Sequence, residues 1–256
     1  MTRTLLIDGD IFIFRAATLS EYVSRYSDEI HVLEGNLSEA LAKLDGAVTQ
    51  IQKKLKADRI VFCLSDPGVY WRRDIFPSYK MNRAKVRKPL LLPDLREAAM
   101  EMWETKLKPR LEADDVMGVL ATHPKLIEGQ KIIVSVDKDL KTIPGLVYND
   151  NKEVLMRISE EEAHHNHMYQ TLVGDATDGY PGCPGVGPVK AEKILREKGT
   201  EWPVIVEAFE KARLGEEAAL VQARIAYICR SQDYNFNTNQ PILWEPDHHG
   251  TSTDVV

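Results

Sequence analysis

The 256 residues, 43% apolar and 28% charged, suffice for one large domain or a domain with a small appendage, and they exclude wholesale disorder. No apolar run approaches the roughly 18 residues of a membrane span, and Met1 leads into a short strand-like run in place of a signal peptide's longer apolar core. The net charge of −6 stands against a nucleic-acid binder, although its distribution matters more than its sum.

Residues 4–7 form an apolar run ending in Asp8-Gly9-Asp10, which predicts a first strand with acids at its C-terminal end. Leu37, Leu41, Leu44, Val48, Ile51 and Leu55 recur at steps of four and three, so the spacing predicts an amphipathic helix over 37–56. Residues 59–64 read as a buried strand ending near Asp66, and helical patterns follow near 94–106 and 113–122. Residues 131–136 predict a third strand, followed at once by Asp137-Lys138-Asp139. Strands separated by helices imply an α/β fold with a mostly parallel central sheet flanked by helices. Sites in such sheets form beyond the carboxyl ends of the strands, and all three predicted strands place carboxylates there.

After residue 158 the strand signals fade. Ser159 with Glu162 predicts a capping box for a helix to about Val173, and helical patterns recur over 188–198, 203–213 and 216–231. The chain is expected to divide into an α/β domain over 1–158 and a helical subdomain over 159–256, with 246–256 as a loose tail. Cys63, Cys183 and Cys229 are widely spaced, show no zinc pattern, and read as reduced thiols of a cytoplasmic protein.

Nine acids are candidate metal ligands: Asp8, Asp66, Glu112, Asp114, Asp115, Asp137, Asp139, Asp175 and Asp178. Alone, Glu112-Ala113-Asp114-Asp115 reads equally well as acids at a helix N-terminus, and Asp137-Lys138-Asp139 as a strand-to-helix turn. Those readings leave unexplained the gathering of acids in one topological place. So many carboxylates repel one another unless cations neutralise them. Oxygen ligands without His or Cys favour two Mg²⁺ ions, with Mn²⁺ able to substitute, over zinc. Two such ions about 4 Å apart suit an in-line phosphoryl displacement. With nine acids assigned to metals, 33 cations face the 30 remaining acids, so the net charge is no obstacle to a polyanion.

Asp178 runs into a loop with glycine at 182, 185 and 187, and a turn of this kind entering a helix can offer backbone N–H groups to a phosphate. Trp71-Arg72-Arg73 and Tyr79 precede a dense basic run of Lys80, Arg83, Lys85, Arg87 and Lys88. Such runs are commonly solvated surface. This one lies one loop from the acids, where cations can contact phosphates and aromatic rings can stack on unpaired bases. Lys80 and Arg83 are the groups expected to face a scissile phosphate. Metal ligands beside a phosphate grip point to an enzyme that cuts nucleic acid.

Taken in order, Ile7-Asp8-Gly9, Asp66, Tyr79-Lys80-x-Asn82-Arg83, Glu112-Ala113-Asp114-Asp115, Val134-Ser135-x-Asp137-Lys138-Asp139 and Gly174-Asp175-x-x-Asp178-x-x-Pro181-Gly182-x-Pro184-Gly185-x-Gly187 resemble the 5′ nucleases. That family comprises flap endonucleases, the 5′-exonuclease domains of bacterial DNA polymerases and stand-alone 5′→3′ exonucleases of tailed phages. The resemblance covers roughly residues 4–200, and Asp10, Asp233-Tyr234-Asn235-Phe236 and Leu243-Trp244 are most similar to the short phage exonucleases. It implies a PIN-like nuclease domain, a two-metal site built from the nine acids, and a basic arch or clamp over about 68–110. It further implies a helix–three-turn–helix over about 174–198, whose backbone around Gly182, Gly185 and Gly187 contacts the uncleaved strand with a K⁺ ion. DNA contacts are implied for Arg72, Arg73, Tyr79, Lys85, Arg87, Lys88, Lys190 and Lys193, and phosphate positioning for Lys80 and Arg83. DNA 5′ ends or flaps and RNA–DNA hybrids follow as substrates, replication proteins as partners, and a monomer as the working form.

Three positions depart from the family pattern. Gly179 stands where Asn is common, Val189-Lys190 replaces Lys-Thr, and the spacing from Asp66 to Arg72 is one residue short, leaving Arg72 and Arg73 as alternatives. Asp8-Gly9-Asp10 also resembles the nucleophile motif of haloacid dehalogenase-type phosphatases, but that fold has no use for Glu112-Ala113-Asp114-Asp115 or the basic run. A non-catalytic DNA binder would gain from losing carboxylates beside phosphates, whereas a nuclease acting on RNA shares the metal chemistry. His164, His165 and His167 read as a solvated helix face, since zinc ligands need better spacing.

Overall fold

The structure is a computed structural model and describes residues 2–246; apart from Pro246, the expected tail lies outside the described residues. The chain runs β1 (Arg3–Asp8), α1 (Gly9–Thr18), β2 (Glu21–Arg25), β3 (His31–Gly35), α2 (Leu37–Leu55), β4 (Arg59–Cys63), α3 (Arg72–Ile75), α4 (Leu92–Met102), β5 (Thr105–Lys106) and α5 (Ala113–Thr122). It continues through β6 (Gln130–Ser135), β7 (Gly145–Asn149), β8 (Val154–Ile158), α6 (Glu160–Val173), α7 (Pro188–Lys198), α8 (Trp202–Lys211), α9 (Glu216–Ala226), β9 (Tyr234–Asn235) and β10 (Gln240–Pro241).

Six strands form one sheet in the order β5-β4-β1-β6-β7-β8, parallel except for the antiparallel edge strand β8. β1 is central, with Asp8 opposite Cys63 and Ile7 opposite Val134. Leu5, Leu6 and Ile7 are fully buried because helices cover both faces. Leu5 and Ile7 pack with Phe62 and Val134 beneath α1, α2 and α4, while Leu6 packs with Val61 and Ile133 against Val116 and Met117 of α5. Each such burial is worth about 1.5–3 kcal/mol. The carboxyl ends of β1, β4 and β6 are thereby held at one edge of a rigid layer.

Where the predicted elements differ, neighbouring side chains decide. The helix expected over 94–106 ends at Met102, because the Trp103 ring stacks on Phe62 with centroids 4.6 Å apart and Thr105–Lys106 joins the sheet beside β4. The helix expected over 216–231 ends at Ala226, and the extended chain beyond it offers Tyr227 O to Arg72 and Cys229 N to Asp115. Strands β7 and β8, helix α1 and the β2–β3 hairpin are additions to the sequence reading.

Helices α6 to α9 enclose a separate core around Met168, Leu172, Leu195, Ile205, Phe209 and Trp244. Ser159 caps α6 as the sequence predicts, with Ser159 Oγ accepting from Glu162 N at 3.1 Å and Ser159 N donating to Glu162 Oε2 at 2.8 Å. The connection from α6 to α7 folds back on itself at two glycines in the left-handed region, Gly174 (φ 70°) and Gly182 (φ 65°). A Cβ on Gly174 would lie 2.5 Å from Tyr180 O, and one on Gly182 would lie 2.6 Å from Leu172 O. No described helix is long and apolar enough to cross a membrane.

Candidate active site

Asp8 ends β1 and is 2% exposed. Its Oδ2 accepts a hydrogen bond from Ser135 Oγ at 2.6 Å, and Ser135 Oγ in turn accepts Asp137 N at 3.1 Å. Burial, reinforced by the nearby charges of Asp10 and Asp137, raises the Asp8 carboxyl to about 7 against the pull of the Ser135 bond. Burial and the charges of Asp8 and Asp137 push Asp114 well above the carboxylate range. Asp139 rises to about 7 for the same reasons, burial first and Asp137 next. Its N–H donates to Asp137 Oδ1 at 2.9 Å, while its own Oδ1 is buried without a hydrogen-bond partner.

Around these three, cations are interleaved with the remaining acids. Lys80 Nζ pairs with Glu112 and stands 3.4 Å from Asp178 Oδ2, and Arg83 pairs with Asp178 Oδ1. The Tyr79 hydroxyl lies 3.0 Å from both Glu112 Oε2 and Asp178 Oδ2. Burial acts to raise the Asp175 carboxyl, but Lys138 at 3.1 Å and the backbone N–H groups of Asp178 and Thr177 outweigh it and hold the group low. Glu112, Asp114, Asp139 and Asp178 line one small cavity with Arg72 and Tyr79. Among the described residues, no three His, Cys, Asp or Glu side chains are already set around one point as metal ligands. The acids are gathered, but Glu112, Asp175 and Asp178 face the lysines and arginines between them.

Several expected site residues make their contacts within the protein. Asp115 is fully buried and saturated: it accepts from Arg72, Trp71 Nε1 at 3.0 Å, Cys229 N at 3.1 Å and Glu112 N at 3.3 Å, so its oxygens are committed within the protein. Burial would raise this carboxyl, yet the Arg72 guanidinium holds it below the ordinary value. Arg72 and Tyr79, expected at the DNA, are each 3% exposed and bond to the Glu112 carboxylate. Arg73 is the outward member of the pair, half-buried with Nε donating to Tyr79 O at 3.1 Å. Gly182 is buried, and its N–H donates to Gln222 Oε1 at 2.9 Å.

Asp66 N donates to Leu111 O at 2.9 Å, next to Glu112, and its Oδ2 accepts Arg110 N at 2.7 Å. Lys85, Arg87, Lys88, Gly185, Gly187, Lys190 and Lys193 are exposed. Arg87 forms a double hydrogen bond to Glu21 of β2 at 2.8 and 2.6 Å, and Lys190 Nζ donates to Gly185 O at 3.1 Å. The basic segment lies against the 174–179 turn: Lys80 N donates to Asp178 O at 2.8 Å, and Asn82 Nδ2 to Ala176 O at 3.0 Å and Thr177 O at 3.1 Å. The histidines do not form the solvated helix face expected: His167 is buried with Nε2 2.8 Å from Ala223 O, and the half-buried His164 has Nε2 3.1 Å from Thr200 O.

Three contributors are not among the candidate site residues read from the sequence. Asp10 accepts Ser65 N at 3.0 Å and Arg96 Nη1 at 2.8 Å and adds to the charge acting on Asp8. Its place two residues after Asp8 was the available signal. Lys138, between Asp137 and Asp139, carried a similar one. Arg96 of α4 carried none.

Comparison with known proteins gives a consistent answer. The family model described as "5′-3′ exonuclease, N-terminal resolvase-like domain" matches residues 3–172. The exonuclease of Escherichia phage T7 is 32% identical over 94% of this chain and 93% of its own. Flap endonuclease Xni of Shewanella piezotolerans is 27% identical, covering 76% of this chain and 82% of its own. The fold is shared with the T5 5′-exonuclease in a structure with bound zinc, at a TM-score of 0.66 and 17% identity over 88% of this chain and 89% of that one. A parallel sheet with acids at its carboxyl edge, a family match across that whole sheet and a phage exonuclease aligned nearly end to end agree: this chain belongs to the 5′–3′ exonuclease family and is a nuclease.

Proposed function

We propose that this chain is a divalent-metal-dependent 5′→3′ exonuclease that hydrolyses DNA phosphodiesters from 5′ ends and also cleaves flaps. The observation that carries the reading is the placing of Asp8, Asp114 and Asp139 beyond the carboxyl ends of the strands, where burial and neighbouring acids, Asp137 common to all three, raise their carboxyls. Such a set is stabilised by multivalent cations. The residues fit two Mg²⁺ ions, with Mn²⁺ as substitute: the donors are all oxygen, and the buried Asp139 Oδ1 lacks a partner. Asp8, Glu112 and Asp114 would hold one region with Asp66 at its edge, and Asp137, Asp139, Asp175 and Asp178 the other. Bound divalent cations supply charge stabilisation for attack by water and for the leaving oxygen.

The remaining steps belong to this chain's own groups. Lys80 and Arg83 exchange their carboxylate partners for the scissile phosphate and donate to its oxygens as negative charge develops. The exposed backbone at Gly185 and Gly187, with Lys190 and Lys193, grips the uncleaved strand as part of a helix–three-turn–helix over 174–198, within a helical DNA-binding subdomain over 159–256. Lys85, Arg87 and Lys88 follow the 5′ arm as the basic clamp. A K⁺ ion on the backbone of the 182–187 turn would assist the grip on the uncleaved strand, beside Gly185 O, which accepts the Lys190 ammonium. Because these groups address phosphates, RNA primers paired to DNA fall within the substrate range, in DNA replication or recombination.

Asp137 is the charge that acts on Asp8, Asp114 and Asp139 alike. Asp137→Ala is therefore expected to abolish Mg²⁺-dependent cleavage while DNA affinity stays near wild type. Near-normal turnover by that variant would remove the two-metal assignment.

A further inference from the structure

Arg72 lies in α3, 3% exposed, where the sheet domain meets the helical half. Its Nε donates to Ile225 O at 2.9 Å, its Nη1 to Glu112 Oε2 at 2.8 Å and Asp115 Oδ2 at 2.7 Å, and its Nη2 to Asp115 Oδ1 and Tyr227 O, both at 2.8 Å. A guanidinium has five N–H donors, and the five bonds here match that capacity. Ile225 O and Tyr227 O lie at the C-terminal end of α9, where a cation complements the helix dipole. Glu112 and Asp115 open α5, where negative charge complements it. One planar group thus joins the end of one helix to the start of another.

Stability alone does not account for this arrangement. A buried ion pair returns little net stability compared with apolar residues of similar volume. What it does fix is geometry. Glu112 receives Arg72 on Oε2 and Lys80 on Oε1, so its carboxylate plane is set by Arg72 on one side and by the phosphate-facing lysine on the other.

We infer that Arg72 is a positioning residue for cleavage: it fixes the Glu112 carboxylate to the C-terminal end of α9, and Asp115 is its counter-ion and not a metal ligand. DNA held by the helical half and the carboxylates at the strand ends then share one rigid frame. The inference rests on Glu112 belonging to the metal-binding set. Lysine at this position offers a single compact ammonium and cannot reach the α9 carbonyls and both carboxylates together. Asparagine at 115 keeps the shape of the cage and removes its charge.

The test is single-turnover cleavage of a 5′-flapped duplex at saturating enzyme with Mg²⁺, below each variant's melting transition, for Arg72→Lys, Asp115→Asn and the double variant. DNA affinity in EDTA and thermal melting are measured alongside. The amplitude reports the active fraction and the rate constant reports the chemistry, so a merely structural role lowers amplitude and melting temperature and leaves the rate constant unchanged. Each single variant is expected to lose on the order of 10²-fold in rate constant, the scale of a small misplacement of a reacting group. The double variant should be no slower than the slower single, because both changes act through Glu112. DNA affinity in EDTA should change by no more than about twofold. A wild-type rate constant on a reduced amplitude, or losses that multiply in the double variant, would overturn the inference. If Arg72→Lys proves too unstable to assay, Asp115→Asn is judged by the same comparison of rate and amplitude. Inactive wild-type protein in the same assay would count against the proposed function and not against this role.

Discussion

The Ser135 hydroxyl donates to Asp8 Oδ2 at 2.6 Å, tying the last residue of β6 to the last residue of β1 inside the sheet edge. The bond favours the ionised form of a carboxyl that burial drives toward its neutral form. If Asp8 holds a metal ion as proposed, Ser135→Ala leaves a poorer ligand at position 8. The Mg²⁺ concentration giving half-maximal cleavage is expected to rise about 10–100-fold, as is usual when the partner of a metal ligand is removed. An unchanged Mg²⁺ requirement would mean that Asp8 does not bind the ion.

Lys80 stands between Glu112 and Asp178, 12% exposed, with burial opposed by those two carboxylates. If it donates to the phosphate only as charge develops, Lys80→Ala should lower the single-turnover rate about 10²–10³-fold, with a much smaller effect on DNA affinity. A loss confined to affinity would make Lys80 a backbone contact only.

The raised carboxyls make stability depend on pH. Asp8 and Asp139 move from 3.8 to about 7, chiefly through burial, so the folded chain binds protons that the unfolded chain releases. That stabilisation is complete below 3.8 and is lost as pH climbs through about 7. In EDTA the melting temperature should fall across this window, and the gain on adding Mg²⁺ should grow as protons leave. A Mg²⁺ response independent of pH would contradict both the raised carboxyls and their role as ligands.

Two glycines of the 174–187 turn, Gly182 and Gly187, differ in what a side chain would meet. Gly182 has φ 65° and no room for a Cβ, so Gly182→Ala should cost about 1–3 kcal/mol in stability. A Cβ on Gly187 would meet nothing within 4 Å. Gly187→Ala should cost no more than about 1 kcal/mol, as a helix N-cap change, while weakening DNA binding in EDTA if a strand approaches there. Equal melting losses in the two variants would remove the distinction.

Three of the six strands, β1, β4 and β6, are legible because they are buried on both faces and read as continuous apolar runs, each leading to acids, whereas β5, β7 and β8 carry no such run. The α5 span matched its prediction for a similar reason, with Glu112 and Asp115 forming the cap. What the sequence could not show was orientation. Arg72 and Arg73 are chemically alike, and only the turn of α3 places one guanidinium under Lys80 and the other outside. Asp114 and Asp115 are likewise adjacent acids, yet one faces Asp8 and Asp137 and the other Arg72. Helix ends set by tertiary contacts, such as Ala226 before the Arg72 and Asp115 bonds, were beyond local pattern.

The most direct test of the central claim is digestion of a 5′-flapped duplex, labelled separately at each end, in Mg²⁺ and in EDTA. The account predicts Mg²⁺-dependent release of short products from the 5′ label, with the 3′ label spared and no cleavage in EDTA. Product lengths would separate stepwise trimming from flap incision. Cleavage that persists in EDTA, or products released first from the 3′ end, would contradict it.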